Sequence, residues 1–190
     1  MHSTTVGFAM CGSFCNFEQS FQAMETLKLR GCSLLPIFSE AAAATDTRFG
    51  PAAQHLARAE VIAGRAPVLS IAAAEPIGPK ALCDIMVVCP CTGTTLAKLA
   101  AGISEGAVPM AVKSHLRGGR PVLLAFASND ALAASAKNLG ELLCRRNYFF
   151  LPMRQDDPVG KPTSLVAEFS LLPQAVEAAL AGRQLRPLFL

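Results

Sequence analysis

The residue pattern predicts an α/β fold, a Rossmann-like three-layer sandwich in which helices cover both faces of a mainly parallel sheet. Two observations carry this. Short, continuously apolar segments such as DIMVVC and RPVLLAFA read as strands covered on both faces. They alternate with segments of helical apolar spacing, and such alternation implies right-handed crossovers and a parallel sheet. With 190 residues, 52% of them hydrophobic and 16% charged, the chain can bury one substantial core, so residues 1–190 are expected to form a single domain.

Each element has its own signal. Thr5 to Met10 reads as a buried strand, followed by the turn Cys11 to Phe14. Asn16 is a plausible N-cap, and Phe17, Phe21, Met24, Leu27 and Leu29 give a helical apolar face that ends at Gly31. Cys32 to Phe38 forms a second strand closed by Ser39, and residues 40–50 read as a loop. Pro51 suits a helix start, so Ala52 to Ala63 is predicted helical, with His55 on a partly exposed face. Pro67 to Ile71 reads as a short strand. Asp84 to Cys89 is the clearest strand, with a helix from Thr95 to Ile103 after it. Arg120 to Ala127 is a further buried strand, Leu132 to Arg146 a helix, and Tyr148 to Leu151 another central strand. An irregular segment from Pro152 to Pro162 precedes a last helix over Leu171 to Leu180.

Several function classes are disfavoured. Net charge is only +3, and no basic run is interleaved with aromatics, so there is no nucleic-acid footprint. No GxGxxG follows the first strand, and no GxxxxGK[ST] occurs. His2, His55 and His115 are scattered and suggest no triad or metal site. The seven cysteines form no pair of CxxC motifs and read as free thiols of a reducing cytosol. Neither a signal peptide nor a membrane span is evident, so a cytoplasmic location is expected. Ala-rich, weakly charged helices suggest a homo-oligomer.

Chemistry is expected at the carboxyl ends of the strands, where open α/β sheets bind ligands. Three strand-to-helix turns carry small polar residues: Gly12-Ser13-Phe14, Ser39, and Cys91-Thr92-Gly93-Thr94-Thr95. Helix N-termini offer unpaired N–H groups, glycine permits close backbone approach, and hydroxyls add donors, a combination that suits a phosphate. Ser and Thr also serve as plain caps, but three such turns at one edge favour a cofactor.

The segment PCTGTTLAKLAAGISEG at Pro90 to Gly106 resembles the flavin-binding loop and helix of the homo-oligomeric flavin-containing decarboxylases, whose superfamily also holds the flavin prenyltransferases. Within that group, GFAMCGSFCNFE, TDTRFG, CPCTGTTLAKLA and NYFFLPMRQDDPVGKPTSLVA resemble the dipicolinate synthase B-subunit family, and AEPIGPK and RPVLLAFASNDAL fit as well. The resemblance covers nearly the whole chain, and QDDPxxKPxS is its most specific part. It implies FMN as cofactor at Gly12, Ser13, Phe14, Ser39 and Cys91 to Thr95. It also implies an oxidoreductase that forms dipicolinate from a dihydrodipicolinate-type intermediate of the lysine pathway during sporulation. The implied partner is an A subunit of nicotinamide-dinucleotide-binding type, through which NAD(P) would enter. A decarboxylase or prenyltransferase on the same scaffold, or a non-catalytic partner-stabilising subunit, are the alternatives. Two decarboxylase features are altered: PCTGTT lacks the Asn of a PASANT-like loop, and FASNDAL replaces a PxMNxxMW segment in a chain without Trp.

A dicarboxylate substrate wants cationic partners, preferably a bidentate Arg. Arg48, Lys113 and Lys161 are the candidates, with Arg117 and Arg154 behind them. Arg48 reads as a substrate clamp, as a solvated side chain, or as a loop-ordering partner of Asp46 or Glu40. Asp156 and Asp157 read as turn formers before Pro158 or as a base, and Glu75 before Pro76 is equally ambiguous.

Overall fold

The DIMVVC segment lies at the middle of the sheet. In the computed structural model, which describes residues 4–190, it forms β3 (Ile85–Cys91), and all seven of its residues are buried. The other strands are β1 (Thr5–Met10), β2 (Ser33–Phe38), β4 (Val122–Ser128), β5 (Tyr148–Phe150), β6 (Met153–Arg154) and β7 (Leu165–Ala167). The helices are α1 (Phe17–Leu29), α2 (Glu40–Ala44), α3 (Ala52–Ala63), α4 (Ile71–Ala74), α5 (Gly93–Ala100), α6 (Ala107–Leu116), α7 (Ala136–Leu143) and α8 (Leu172–Leu180). Strands run in the order β2-β1-β3-β4-β7-β6, and β5 also pairs with β4. The pairings from β2 to β5 are parallel, while β7 adds antiparallel to the carboxyl end of β4 and carries β6.

Strand alternation distributes side chains between two cores. Val6, Phe8, Ile85 and Val87 pack under α1, α3 and α8, through Phe17, Phe21, Ala59 and Val176. Ala9, Met86, Val88 and Phe126 pack on the opposite face against Leu96, Val112 and Leu142 of α5, α6 and α7. The expected three-layer sandwich is therefore present, with the two apolar strands β3 and β4 central and buried.

Local corrections have physical causes. Residues 40–44 are helical, because Ser39 caps four alanines by accepting the Ala42 N–H at 3.2 Å. The expected strand at Pro67 to Ile71 reduces to one bridge, Val68 to Ile37, since Ser70 caps α4. The helix expected from Leu132 begins only at Ala136. Asp130 gathers the hydroxyls of Ser128 and Ser135, and the Leu132 N–H goes to the Thr163 carbonyl, so side-chain bonding competes with the helix. The segment 152–162 is not wholly irregular, for Met153–Arg154 pair with β7. Helix α6 fills a stretch for which the pattern suggested nothing. His55 is buried, not partly exposed: its ring lies 4.8 Å from that of Phe17 and 6.0 Å from that of Phe21. His2 lies outside the described residues. All seven cysteines are unpaired.

Candidate functional site at the carboxyl edge of the sheet

Helices α2 and α5 both begin at the carboxyl edge, each with a hydroxyl cap. Thr92 Oγ1 accepts the Thr95 N–H at 3.2 Å and donates to Thr95 Oγ1 at 3.1 Å. The first-turn N–H groups of Gly93 and Thr94 have no partner within the helix. Gly12, Ser39, Thr92, Thr94 and Thr95 converge on a hollow of about 350 Å3. Residues that the sequence reading missed complete it: Glu40, Lys98, Glu105 and Pro109. Lys98 stands one helical turn after Thr94, a spacing that would have placed it on the same face. Its ammonium donates to the Glu105 carbonyl at 3.2 Å. Glu40 Oε1 accepts the Ala107 N–H at 3.0 Å and so holds the start of α6.

Two smaller or similar hollows adjoin it. Gly93 and Thr94, together with Ser128, Asp130 and Ser135, line one of about 360 Å3. The two serine hydroxyls hold the Asp130 carboxyl below the usual carboxylate range. Ser13, Asn16, Ser128, Asn129, Lys161 and Ser164 line another of about 130 Å3. Thr94 belongs to the first two hollows and Ser128 to the last two, so they run along one edge.

The remaining candidates are placed differently. The Phe14 ring packs 5.2 Å from Phe17. Cys91 is fully buried, and burial pushes its thiol well above the usual thiol range. Cys11 is likewise buried, and its thiol is pushed up to about 11, so neither supplies a thiolate near neutral pH. The Arg48 guanidinium lies 4.8 Å from the Phe49 ring. Neither suggested partner holds it: Asp46 accepts the Ala52 N–H, and Glu40 binds Ala107. Lys113 lies away from the edge, in a groove on the α5–α6 face, because α6 carries it outward. Lys161 pairs with Asp156 at 2.9 Å, and Asp157 accepts the Gly160 N–H, which favours the turn reading of both carboxylates. Arg154 pairs with Glu168, and Glu75 opens a 3-10 turn. Among the described residues there is no cluster able to hold a metal ion.

Residues 1–162 match the family model described as Flavoprotein. The chain belongs to the Flavoprotein family. The chain is 41% identical over 183 residues to the B subunit of dipicolinate synthase of Bacillus subtilis (strain 168), covering 96% of this chain and 92% of that one. It superposes on the crystal structure of the dipicolinate synthase B subunit from Bacillus halodurans with a TM-score of 0.90 at 36% identity, over 98% and 96% of the two chains. The fold also resembles that of AnUbiX (PadA1), solved in complex with FMN and dimethylallyl pyrophosphate. That match has a TM-score of 0.64 at 19% identity, over 80% and 78% of the chains. No described helix is long and apolar enough to cross a membrane.

Proposed function

We propose that this flavoprotein binds FMN at the carboxyl edge and serves as the B-type subunit of a dipicolinate-forming oxidoreductase. The observation that carries the reading is the convergence of Gly12, Ser39, Thr92, Thr94, Thr95 and Lys98 on one hollow. Two capped helix starts with the Lys98 ammonium beside them suit a phosphate monoester; of the two carboxylates in the same hollow, Glu40 is engaged by the Ala107 N–H and Glu105 lies 3.8 Å from Lys98, a pairing that a phosphate would replace. Gly12 leaves room for backbone approach, since an added Cβ would find its nearest neighbours only at 3.5 Å. Of the other expected cofactor residues, Gly93 and Ser13 open from the same turns onto the adjoining hollows, whereas Phe14 packs on Phe17 and Cys91 is fully buried and offers no side-chain contact. The similarity to the dipicolinate synthase B subunit supports the choice of reaction.

Bound FMN would supply a two-electron acceptor for ring oxidation. Forming an aromatic pyridine dicarboxylate from its dihydro precursor removes one hydride and one proton. The chain's own residues would orient the substrate: Lys161, in the same hollow as Ser13, would exchange its Asp156 partner for one carboxylate, and Arg48, which lines none of the three edge hollows but is free of ion pairs among the described residues, would reach the other from its loop. Lys113 is withdrawn from that role, because it lies on the outer α5–α6 face. The partner is an A subunit that brings NAD(P), and the complex works in the cytoplasm of a sporulating cell. The chain assembles as a homo-oligomer, in keeping with exposed apolar residues such as Leu29 and Val61.

Mass spectrometry of the small molecule released on denaturation, after incubation with FMN and gel filtration, tests the cofactor. One FMN per chain is expected, and a protein that retains none removes the reading. Dipicolinate formation assayed with and without the A subunit then separates a catalytic subunit from a stabilising one.

A further inference from the structure

The groove that holds Lys113 has no part in the flavin-edge reading. It lies between the carboxyl ends of α5 and α7 and the outer side of α6, and it encloses about 590 Å3, more than any of the three edge hollows. Its apolar wall comes from Leu99, Ile103, Pro109, Leu116 and Tyr148. Its cations are Lys113, Arg117, Arg145 and Arg146, and no carboxylate lines it.

Arg145 already has a structural task. It donates to the Leu99 and Ala100 carbonyls at 3.2 and 2.6 Å and pairs with Glu141 at 2.8 Å, closing the end of α5. The other three cations have no such commitment. Lys113 Nζ donates to the Ser104 hydroxyl at 3.2 Å, and Arg117 and Arg146 make no ion pair among the described residues. Three cations without an ion-pair partner among the described residues flank one apolar wall, and an anion seated there is attracted by all three. Small-molecule sites span roughly 300–1,000 Å3 and combine mostly apolar walls with a few polar groups. The planar guanidinium fork matches a carboxylate or phosphate with two parallel hydrogen bonds.

We propose that this groove is a second ligand site, for a small planar polyanion: an aromatic body carrying two or more oxyanions. The body would lie on Leu116, Pro109 and the Tyr148 ring, with its anionic groups at Arg117, Arg146 and Lys113. The choice of an aromatic dicarboxylate within that class rests on the proposed function, whose product has this form. The groove itself does not depend on that function.

Tyr148 makes the test direct, because it is the single tyrosine of a chain without tryptophan. Selective carbon-13 labelling of tyrosine therefore yields one ring signal, which reports this groove alone. The labelled protein is titrated with pyridine-2,6-dicarboxylate, benzoate, inorganic phosphate and FMN. The dicarboxylate is expected to shift the signal saturably. Benzoate and phosphate, each lacking one half of the ligand, should need concentrations at least about tenfold higher. FMN should leave the signal in place, since its site is the sheet edge. The double variant Arg117→Gln, Arg146→Gln should bind the dicarboxylate about tenfold or more weakly with an unchanged Tm, as both side chains are exposed. Three results overturn the proposal: no shift with the dicarboxylate, undiminished affinity in the double variant, or a shift that follows protein concentration instead of ligand, which would mean that a second copy covers the groove. A protein that binds the dicarboxylate here but retains no FMN loses the edge reading and keeps this site.

Discussion

Gly12 and Gly93 stand at the same sheet edge, yet a methyl group would meet different neighbours at each. At Gly12 the nearest atoms would be Ala41 Cβ and the Phe14 ring at 3.5 Å, an ordinary contact distance. At Gly93 they would be Ser135 Oγ at 2.8 Å, Ser128 Oγ at 3.2 Å and Asp130 Oδ1 at 3.3 Å, the members of one hydrogen-bonded cluster. Gly12→Ala should therefore leave the melting temperature nearly unchanged and weaken FMN binding about tenfold, by filling space that a phosphate approaches. Gly93→Ala should cost about 1–3 kcal/mol of stability through overpacking. Equilibrium titration with FMN alongside melting curves checks both, and equal FMN affinity in Gly12→Ala would move the phosphate elsewhere. The hydroxyls and glycines of these turns were legible as types, because phosphate chemistry selects them. Their division among three hollows was not, because it depends on how β4 and the β6–β7 pair continue beyond the edge.

At the scale of elements, legibility followed length and apolar continuity. The long central strands and α1 and α3 were readable because their burial is written in uninterrupted or periodic apolar runs. The β6–β7 pair was not, since two- and three-residue strands leave too few positions for a period. Residues 132–135 have helical composition, but Ser128, Asp130 and Ser135 bond to one another and delay α7 until Ala136. The cap of α5 offers a test at this scale. Thr92→Ala removes the acceptor for the Thr95 N–H and should cost about 1 kcal/mol, or roughly 2–4 °C in melting temperature. Thr92→Ser keeps the oxygen and should recover most of that loss. If the serine variant melts as low as the alanine one, the threonine methyl packs the helix start and the cap contributes little.

Across the whole molecule, stability in acid should depend on a histidine far from the cofactor edge. His115 lies in the last turn of α6, and its Nε2 is 3.1 Å from the Pro121 carbonyl, where the chain enters β4. That contact assigns the proton to Nε2, which leaves Nδ1 as a bare nitrogen, buried and without a partner among the described residues. Protonating Nδ1 would place a new N–H and a positive charge there. Burial, and secondarily the neighbouring Arg120, oppose this and push the group from its ordinary value of 6.5 down to about 4, although the Pro121 carbonyl partly favours the charged ring. The unfolded chain takes up this proton near pH 6.5, and the folded one only near pH 4. Between those values the unfolded state binds more protons, so this contribution to stability is complete above pH 6.5 and is lost as pH falls toward 4. The full shift corresponds to at most about 3 kcal/mol. His55, lowered chiefly by burial, adds in the same direction. The carboxylates of Glu18, Asp130 and Asp156 are held low by hydrogen-bonded partners, so their losses fall mainly at more acid pH. Melting temperature should therefore decline between pH 7 and 4.5, and His115→Gln, whose amide can still donate to Pro121, should show a shallower decline. An imidazole NMR titration provides a check that does not require the variant to fold: the His115 ring should remain neutral at pH 5. A His115 ring that titrates near 6.5 in the folded protein would assign the acid sensitivity to other groups.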